Sequence, residues 1–410
     1  MNDKHYQERP DAELMRQWRH ELHQNPEIGF ELPRTSAMVA KLLEGWGYEV
    51  TKGLAETGVV GRMSFGDPAK GPVIGMRADM DALPITEATG LPYASTTPGA
   101  MHACGHDGHT AMLLGGAELM ARRAAAGELV GNGTVVLIFQ PAEEVGGSDS
   151  GAQRMIKEGL FEKFPCDAVF GIHNGPTEEE GHMHFRPGAF MCSSDTVTLR
   201  FKGSASHGAT PHLARDAALA MSATVLALHS IVSRNLNPLD TGILSIGKLS
   251  SGTVFNVIPG EAELVLAVRA LRPEVAARIH ERIAEVTHAQ AAAYGCTAEI
   301  ETDYGYPSVF NDPAVTNLAI ATARRLFGEE VVEPEAEPVT ASEDFAFYGL
   351  SRPSAFFILG NGVSGHRDGK PIGHVSVHNP HYDFNDKILP LGAEYWAGLA
   401  EDAFQQGALK

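Results

Sequence analysis

The run Gly133-Thr134-Val135-Val136-Leu137-Ile138-Phe139-Gln140 is apolar at nearly every position and stops at Pro141-Ala142-Glu143-Glu144. A strand with one wet face alternates polar and apolar residues. A short continuous run reads instead as a strand buried on both faces. Such a strand belongs to an α/β sheet covered by helices on both sides. The two glutamates at its end narrow the choice further. Open α/β sheets bind ligands at the carboxyl ends of their strands. Adjacent carboxylates there repel each other and resist desolvation, and a cation relieves both problems.

The flanking segments alternate in the same way. Leu14, Trp18 and Leu22 set a helical period over residues 11–25, which Pro26 ends. A helix is expected over 33–46, strands over 57–63 and 72–78, a helix over 110–125, a helix near 152–159 and a strand over 167–172. The rhythm changes near Met191. Over 195–202, Val197, Leu199 and Phe201 alternate with Thr196, Thr198 and Arg200, so one face is wet. Helices over 216–233 and 273–294 and strands over 242–248, 261–269 and 297–302 complete a β-α-β-β-α-β unit of ferredoxin-like type. The α/β pattern then resumes with a helix over 312–327 and a strand over 355–359. At 410 residues the chain is too long for one core. The expectation is an α/β/α sandwich domain formed by 1–190 and 304–410, interrupted by an inserted α+β domain at 191–303.

Composition removes some functions. The net charge of −19 argues against nucleic acid or an anionic membrane as partner. No stretch offers eighteen uninterrupted apolar residues. No apolar signal region follows Met1, so the chain reads as cytoplasmic. Cys104, Cys166, Cys192 and Cys296 form no CxxC pair and are expected as thiols, the last three buried as small hydrophobes.

Chemistry concentrates at strand ends. Met101-His102-Ala103-Cys104-Gly105-His106-Asp107-Gly108-His109 packs a thiol, three imidazoles and a carboxylate into nine residues. Buried groups of this kind need a partner, and a divalent cation satisfies sulfur, nitrogen and oxygen together. Arg77-Ala78-Asp79-Met80-Asp81, Glu143-Glu144, His173-Asn174 and His378-Asn379-Pro380 add donors. Taken singly, Asp79 and Asp81 also read as turn or cap residues, and His173 also reads as a core histidine. The adjacent glutamates suggest divided labour, one binding metal and the other acting as general base.

Together with Asp79-Met80-Asp81-Ala82-Leu83-Pro84, Ser342-Glu343-Asp344-Phe345 and Tyr382-Asp383-Phe384-Asn385-Asp386, these motifs occur in an order that resembles the dinuclear metal amidohydrolases of the aminoacylase and carboxypeptidase G group. Within it, the chain is most similar to the hippurate hydrolase and indole-acetyl-amino-acid hydrolase branch. The resemblance implies two divalent ions, zinc or manganese with cobalt or nickel as alternatives. It implies Cys104 as their bridge, His106, Glu144, His173 and His378 as further ligands, and Glu143 as general base. Asp81 falls where the family orients a ligand. Asp79 stands where other branches have a metal-binding histidine, and it is left outside the ligand set. His102, Asp107 and His109 are expected in supporting or helix-start roles.

The resemblance also assigns roles in the inserted domain, as lid and dimerisation module. His207, expected in a loop, would reach the partner subunit's active site and support the oxyanion. Asn256 and Arg269 would bind the substrate carboxylate, although Arg269 also reads as a surface strand residue. Departures from the family pattern at Ser204-Ala205-Ser206, Ala214 and Ala267-Val268-Arg269-Ala270 touch no expected ligand. The implied reaction is hydrolysis of a small-molecule N-acyl amino acid by a homodimer. A dipeptidase or carboxypeptidase, an N-acetyl-diamino-acid deacetylase, and a non-catalytic metal- or peptide-binding module are the alternatives.

Overall fold

The computed structural model describes residues 10–129, 131–147, 149–362 and 375–406. These fall into two compact units. The first comprises the chain to Gly188 together with Phe310–Glu337 and the part from Phe347 onward, and the second comprises Ala189–Val309 with Pro338–Ala346.

In the first unit an eight-stranded sheet runs in the order Glu49–Leu54, Gly58–Phe65, Gly133–Gln140, Val73–Asp79, Ala168–Gly175, Ser354–Gly360, Met183–His184, Val332–Glu333. The Gly133–Gln140 strand is buried at every residue, as its composition requires. It pairs in parallel with Val73–Asp79, and that strand with Ala168–Gly175. Their register sets Asp79 beside Gln140 and Arg77 beside Gly171. The segments that leave these neighbouring strands therefore meet at one carboxyl edge. Helix Ala12–Gln24 starts where Asp11 accepts from the Glu13 and Leu14 amides, and it buries Met15, Trp18 and Leu22. Helix His106–Ala125 is buried along most of its length and packs with helix Leu389–Gln406.

Several expectations need correction. The helix expected to start at Thr110 starts at His106, because Gly105 in a left-handed conformation (φ 95°) turns the chain there. No apolar period marks that first turn, since its residues are polar and buried. The strand expected to end at Ile172 runs through His173 and Asn174 to Gly175. Strand Glu49–Leu54 was not expected: only Leu54 is buried, so no alternation is visible.

In the second unit the strands Gly242–Ser251, Glu261–Ala270, Ser194–Lys202 and Thr297–Tyr306 lie in that order, all antiparallel. This is the ferredoxin-like arrangement. Val197, Leu199 and Phe201 face a core shared with Leu264, Leu266, Val268, Val275, Ile279 and Ile283. The helix expected over 216–233 breaks at His229 into Ala217–Leu228 and Ser230–Asn235. The segment around His207 is not a plain loop, for Ser206–His207 pairs with Val257–Ile258. Pro338–Ala346 was expected with the sandwich domain. It joins this unit because the Cys192 amide donates to the carbonyls of Val339 and Ala341. Among the described residues no helix is long and apolar enough to cross a membrane.

Candidate metal centre

Asp81 organises the acidic turn after the Gly133–Gln140 strand. Its two carboxylate oxygens accept from consecutive backbone amides, those of Glu143 and Glu144, each at 3.0 Å. The chain reaches this pose by placing buried Ala142 at φ 56°. A non-glycine residue in that region costs about 1–3 kcal/mol and persists where its surroundings over-determine it. The Asp81 carbonyl accepts from His106 Nδ1 at 2.9 Å, which aims Nε2 of the buried ring the other way. Likewise His173 Nδ1 donates to the Asn174 carbonyl at 2.7 Å, and its Nε2 lies 3.4 Å from Cys104 Sγ. His378 is held through its amide on the Ala103 carbonyl at 2.7 Å, with φ at 62°. Its Nε2 lies 3.0 Å from Glu144 Oε1.

Three of the candidate donor sets among the described residues join the expected ligands. Cys104, His106 and His173 form one, Cys104, Glu144 and His378 a second, and His106, Glu143 and Glu144 a third. Within each set the potential ligand atoms lie within 4.8 Å of one another. Sets that share Cys104, His106 and Glu144 are what two neighbouring ions with a common ligand need.

The electrostatics fit a divalent cation. His106 Nε2 is buried and has no hydrogen-bond partner among the described residues, a costly state unless something binds there. Burial opposes charge on this ring, but Asp79, Asp81 and Glu144 raise it to about 10, so the surrounding carboxylates favour positive charge at this position. Burial, with Glu144 and Glu143 beside it, pushes the Cys104 thiol well above its ordinary value. A thiolate forms there only with a positive charge in contact. Burial lowers His173 to about 4, which leaves a neutral imidazole ready to ligate. Thiolate, imidazole and carboxylate together suit zinc, manganese, cobalt or nickel.

Other motif residues support rather than line this centre. Asp79 is not free to ligate: it accepts from Arg77 Nη1 and His109 Nδ1, each at 2.7 Å. Despite burial, Arg77 and the neighbouring histidines hold its carboxyl well below the usual range. Asp107 pairs with His23 Nδ1 at 2.8 Å and Arg19 Nη1 at 3.2 Å, both partners fully buried. Arg19 also meets Asp383 and Asp386. His102 is buried, and burial lowers it to about 3. Sequence reasoning assigned no role to Arg19, Asn174 or Tyr382. Asn174 and Tyr382 were marked only by position inside the motifs His173-Asn174 and Tyr382-Asp383-Phe384-Asn385-Asp386, and Arg19 only by lying in the expected first helix.

His207, Asn256 and Arg269 lie in the second unit. His207 is exposed, and its Nδ1 accepts from the Ala209 amide at 3.0 Å, which leaves the proton on Nε2. Asn256 is exposed and accepts from the Gly208 amide through its carbonyl. Arg269, half-buried, donates from Nη1 to Ser342 Oγ at 3.2 Å.

Residues 75–402 match the family model for peptidase family M20/M25/M40. A hippurate hydrolase of Campylobacter jejuni is 40% identical over 382 residues, spanning 93% of this chain and 94% of that protein. An IAA-amino acid hydrolase of Arabidopsis thaliana, ILR1-like 2, is 35% identical over 396 residues, spanning 96% and 85%. Among solved structures, a dinuclear metal-binding peptidase of the M20 family from Bacillus subtilis superposes with a TM-score of 0.81 at 31% identity, covering 96% of this chain and 98% of that one.

Proposed function

The chain belongs to peptidase family M20/M25/M40, and we propose that within it this enzyme hydrolyses the amide bond of hippurate-like N-acyl amino acids. The carrying observation is that Glu143 shares a cluster with His106 and Glu144, which in turn share clusters with Cys104, His173 and His378. The last five residues would hold two divalent ions, zinc or manganese in the first instance. When bound, such ions supply Lewis-acid polarisation of the scissile carbonyl and lower the pKa of water.

Glu143 is the general base. Its backbone is pinned by Asp81, and its buried carboxylate takes the proton from the attacking water and passes it to the leaving nitrogen. His207 of the partner subunit donates Nε2–H to the developing oxyanion, a role its tautomer suits. Asn256 and Arg269 bind the substrate carboxylate, for which a guanidinium fork provides two parallel donors.

The homodimer in this reading is supported by apolar residues on the surface of the second unit. Leu219 and Leu226, one heptad apart on helix Ala217–Leu228, are 51% and 78% exposed, and Leu249 is exposed on edge strand Gly242–Ser251. Four buried free cysteines favour a reducing compartment, the cytoplasm.

The test is a hydrolysis panel of N-benzoyl, N-acetyl and indole-acetyl amino acids beside free dipeptides, repeated with zinc, manganese, cobalt and nickel. Faster turnover of N-benzoylglycine than of dipeptides is expected. Turnover confined to dipeptides would replace this reading with that of a dipeptidase.

A further inference from the structure

His109 offers a ring nitrogen within the reach of Asp79 and His106, so proximity alone would make it a metal ligand. Its hydrogen bonds say otherwise. Nδ1 lies 2.7 Å from Asp79 Oδ1, and the other oxygen of Asp79 already accepts from Arg77. Asp79 is thus a carboxylate that can only accept, and the proton sits on His109 Nδ1. Nε2 is then an acceptor. It receives the Asn174 backbone amide and the Asn174 side-chain amide, both at 3.0 Å. Neither nitrogen is left for a metal.

Asn174 is fixed on every side. Its carbonyl accepts from His173 Nδ1 at 2.7 Å, which directs His173 Nε2 toward Cys104. Its Nδ2 donates to the Cys104 carbonyl at 2.6 Å, and its Oδ1 accepts from Tyr382. The close approach requires Gly105, where a Cβ would stand 2.5 Å from Asn174 Nδ2. Behind His109 the network continues across adjacent strands: Arg77 Nε donates to Gln140 Oε1 at 2.9 Å, which also accepts from Tyr348 at 3.0 Å.

We propose that His109 and Asn174 are a pair of positioning residues that hold Cys104 and His173 in metal-binding register, with His109 itself off the metal. The proposal rests on the reading of Cys104 and His173 as ligands. It makes a specific prediction about which half of the histidine matters. Glutamine at 109 can present an acceptor near the Nε2 position and keep the bond to Asn174. Asparagine can present a donor near Nδ1 and keep only the bond to Asp79. Asn174→Asp keeps the shape of the side chain and the acceptor for Tyr382 but loses both side-chain donations.

The experiment measures cobalt(II) binding to metal-free wild type, His109→Gln, His109→Asn and Asn174→Asp by chelator competition, and records the sulfur-to-cobalt charge-transfer band. His109→Asn and Asn174→Asp should bind about 10–100-fold more weakly, the usual cost of losing a residue that orients a ligand. Both should show a shifted or weakened band, and His109→Gln should stay closer to wild type than His109→Asn. Wild-type affinity and an unchanged band in His109→Asn and Asn174→Asp would overturn the positioning role while leaving the metal reading intact. A wild type that binds no cobalt would overturn both. Should the variants not fold, nitrogen-15 histidine spectra of metal-free wild type decide. A neutral His109 protonated on Nδ1 is expected, and one protonated on Nε2 overturns the proposal.

Discussion

Glu143 and Glu144 are neighbours whose surroundings separate their tasks. The Glu144 carboxylate approaches His378 and His106, whereas Glu143 is the base in the proposed reaction. Glu143→Gln should therefore lower kcat by about 10²–10⁴-fold, while metal per chain, read by plasma emission, stays near wild type. Retained turnover would remove Glu143 from the base role. His23 makes a second residue-scale prediction. Burial opposes its charge, but Asp107 and Glu87 outweigh this and raise it from 6.5 to about 9. A folded-state value above the unfolded one gives stability that is complete below pH 6.5 and is lost as pH rises through 9. The loss is on the order of 3 kcal/mol. The urea-denaturation gap between wild type and His23→Gln should thus be widest at pH 6 and shrink by pH 9.5. A constant gap would mean that His23 is neutral.

The critical elements are those whose ends carry ligands. The bounds of Gly133–Gln140 were readable from composition, because burial on both faces demands an apolar run. The start of helix His106–Ala125 was not, because its first turn is shaped by contacts from elsewhere. There Gly105 needs both its left-handed φ and its missing Cβ. Gly105→Ala should cost about 1–3 kcal/mol from overpacking against Asn174, together with left-handed strain. Thermal denaturation and cobalt binding should both weaken in this variant. Full metal affinity in a destabilised Gly105→Ala would separate the helix start from the metal centre. Taken alone Asp81 read as a turn or cap residue, and only the family resemblance implied that it orients a ligand; its bonds to two successive amides depend on Ala142 adopting a positive φ.

Across the whole molecule, metal and assembly should govern stability. The donors come from four separated stretches of chain, around Cys104, Glu144, His173 and His378. An ion that binds only the folded state adds about 4 kcal/mol at a free concentration a thousand times its Kd. Chelation should lower both turnover and Tm, and zinc or manganese should restore both. An unchanged Tm on chelation would contradict a site built across these segments. If the second unit forms the dimer interface, Leu226→Glu should shift sedimentation from dimer to monomer and reduce kcat, because His207 would no longer reach its partner's site. A Leu226→Glu variant that remains dimeric and active would place the interface elsewhere.

Covalent order alone determined much of this protein. Periodicity separated the α/β sandwich from the β-α-β-β-α-β unit, and clustered sulfur, nitrogen and oxygen donors pointed to a metal site, while the choice of Cys104, His106, Glu143, Glu144, His173 and His378 among them came from the order of motifs that resembles a known family. These signals survive in sequence because burial and side-chain chemistry are local properties of residue types. Tertiary structure decided which polar residues face the centre and which brace it. Asp79 and His109 have the composition of ligands, yet Arg77 and Asn174 occupy their hydrogen-bonding atoms. It also decided that Pro338–Ala346 packs with the second unit. Such outcomes turn on which hydrogen-bonding atoms meet once the chain is folded, mostly between residues far apart in sequence, which sequence spacing does not encode.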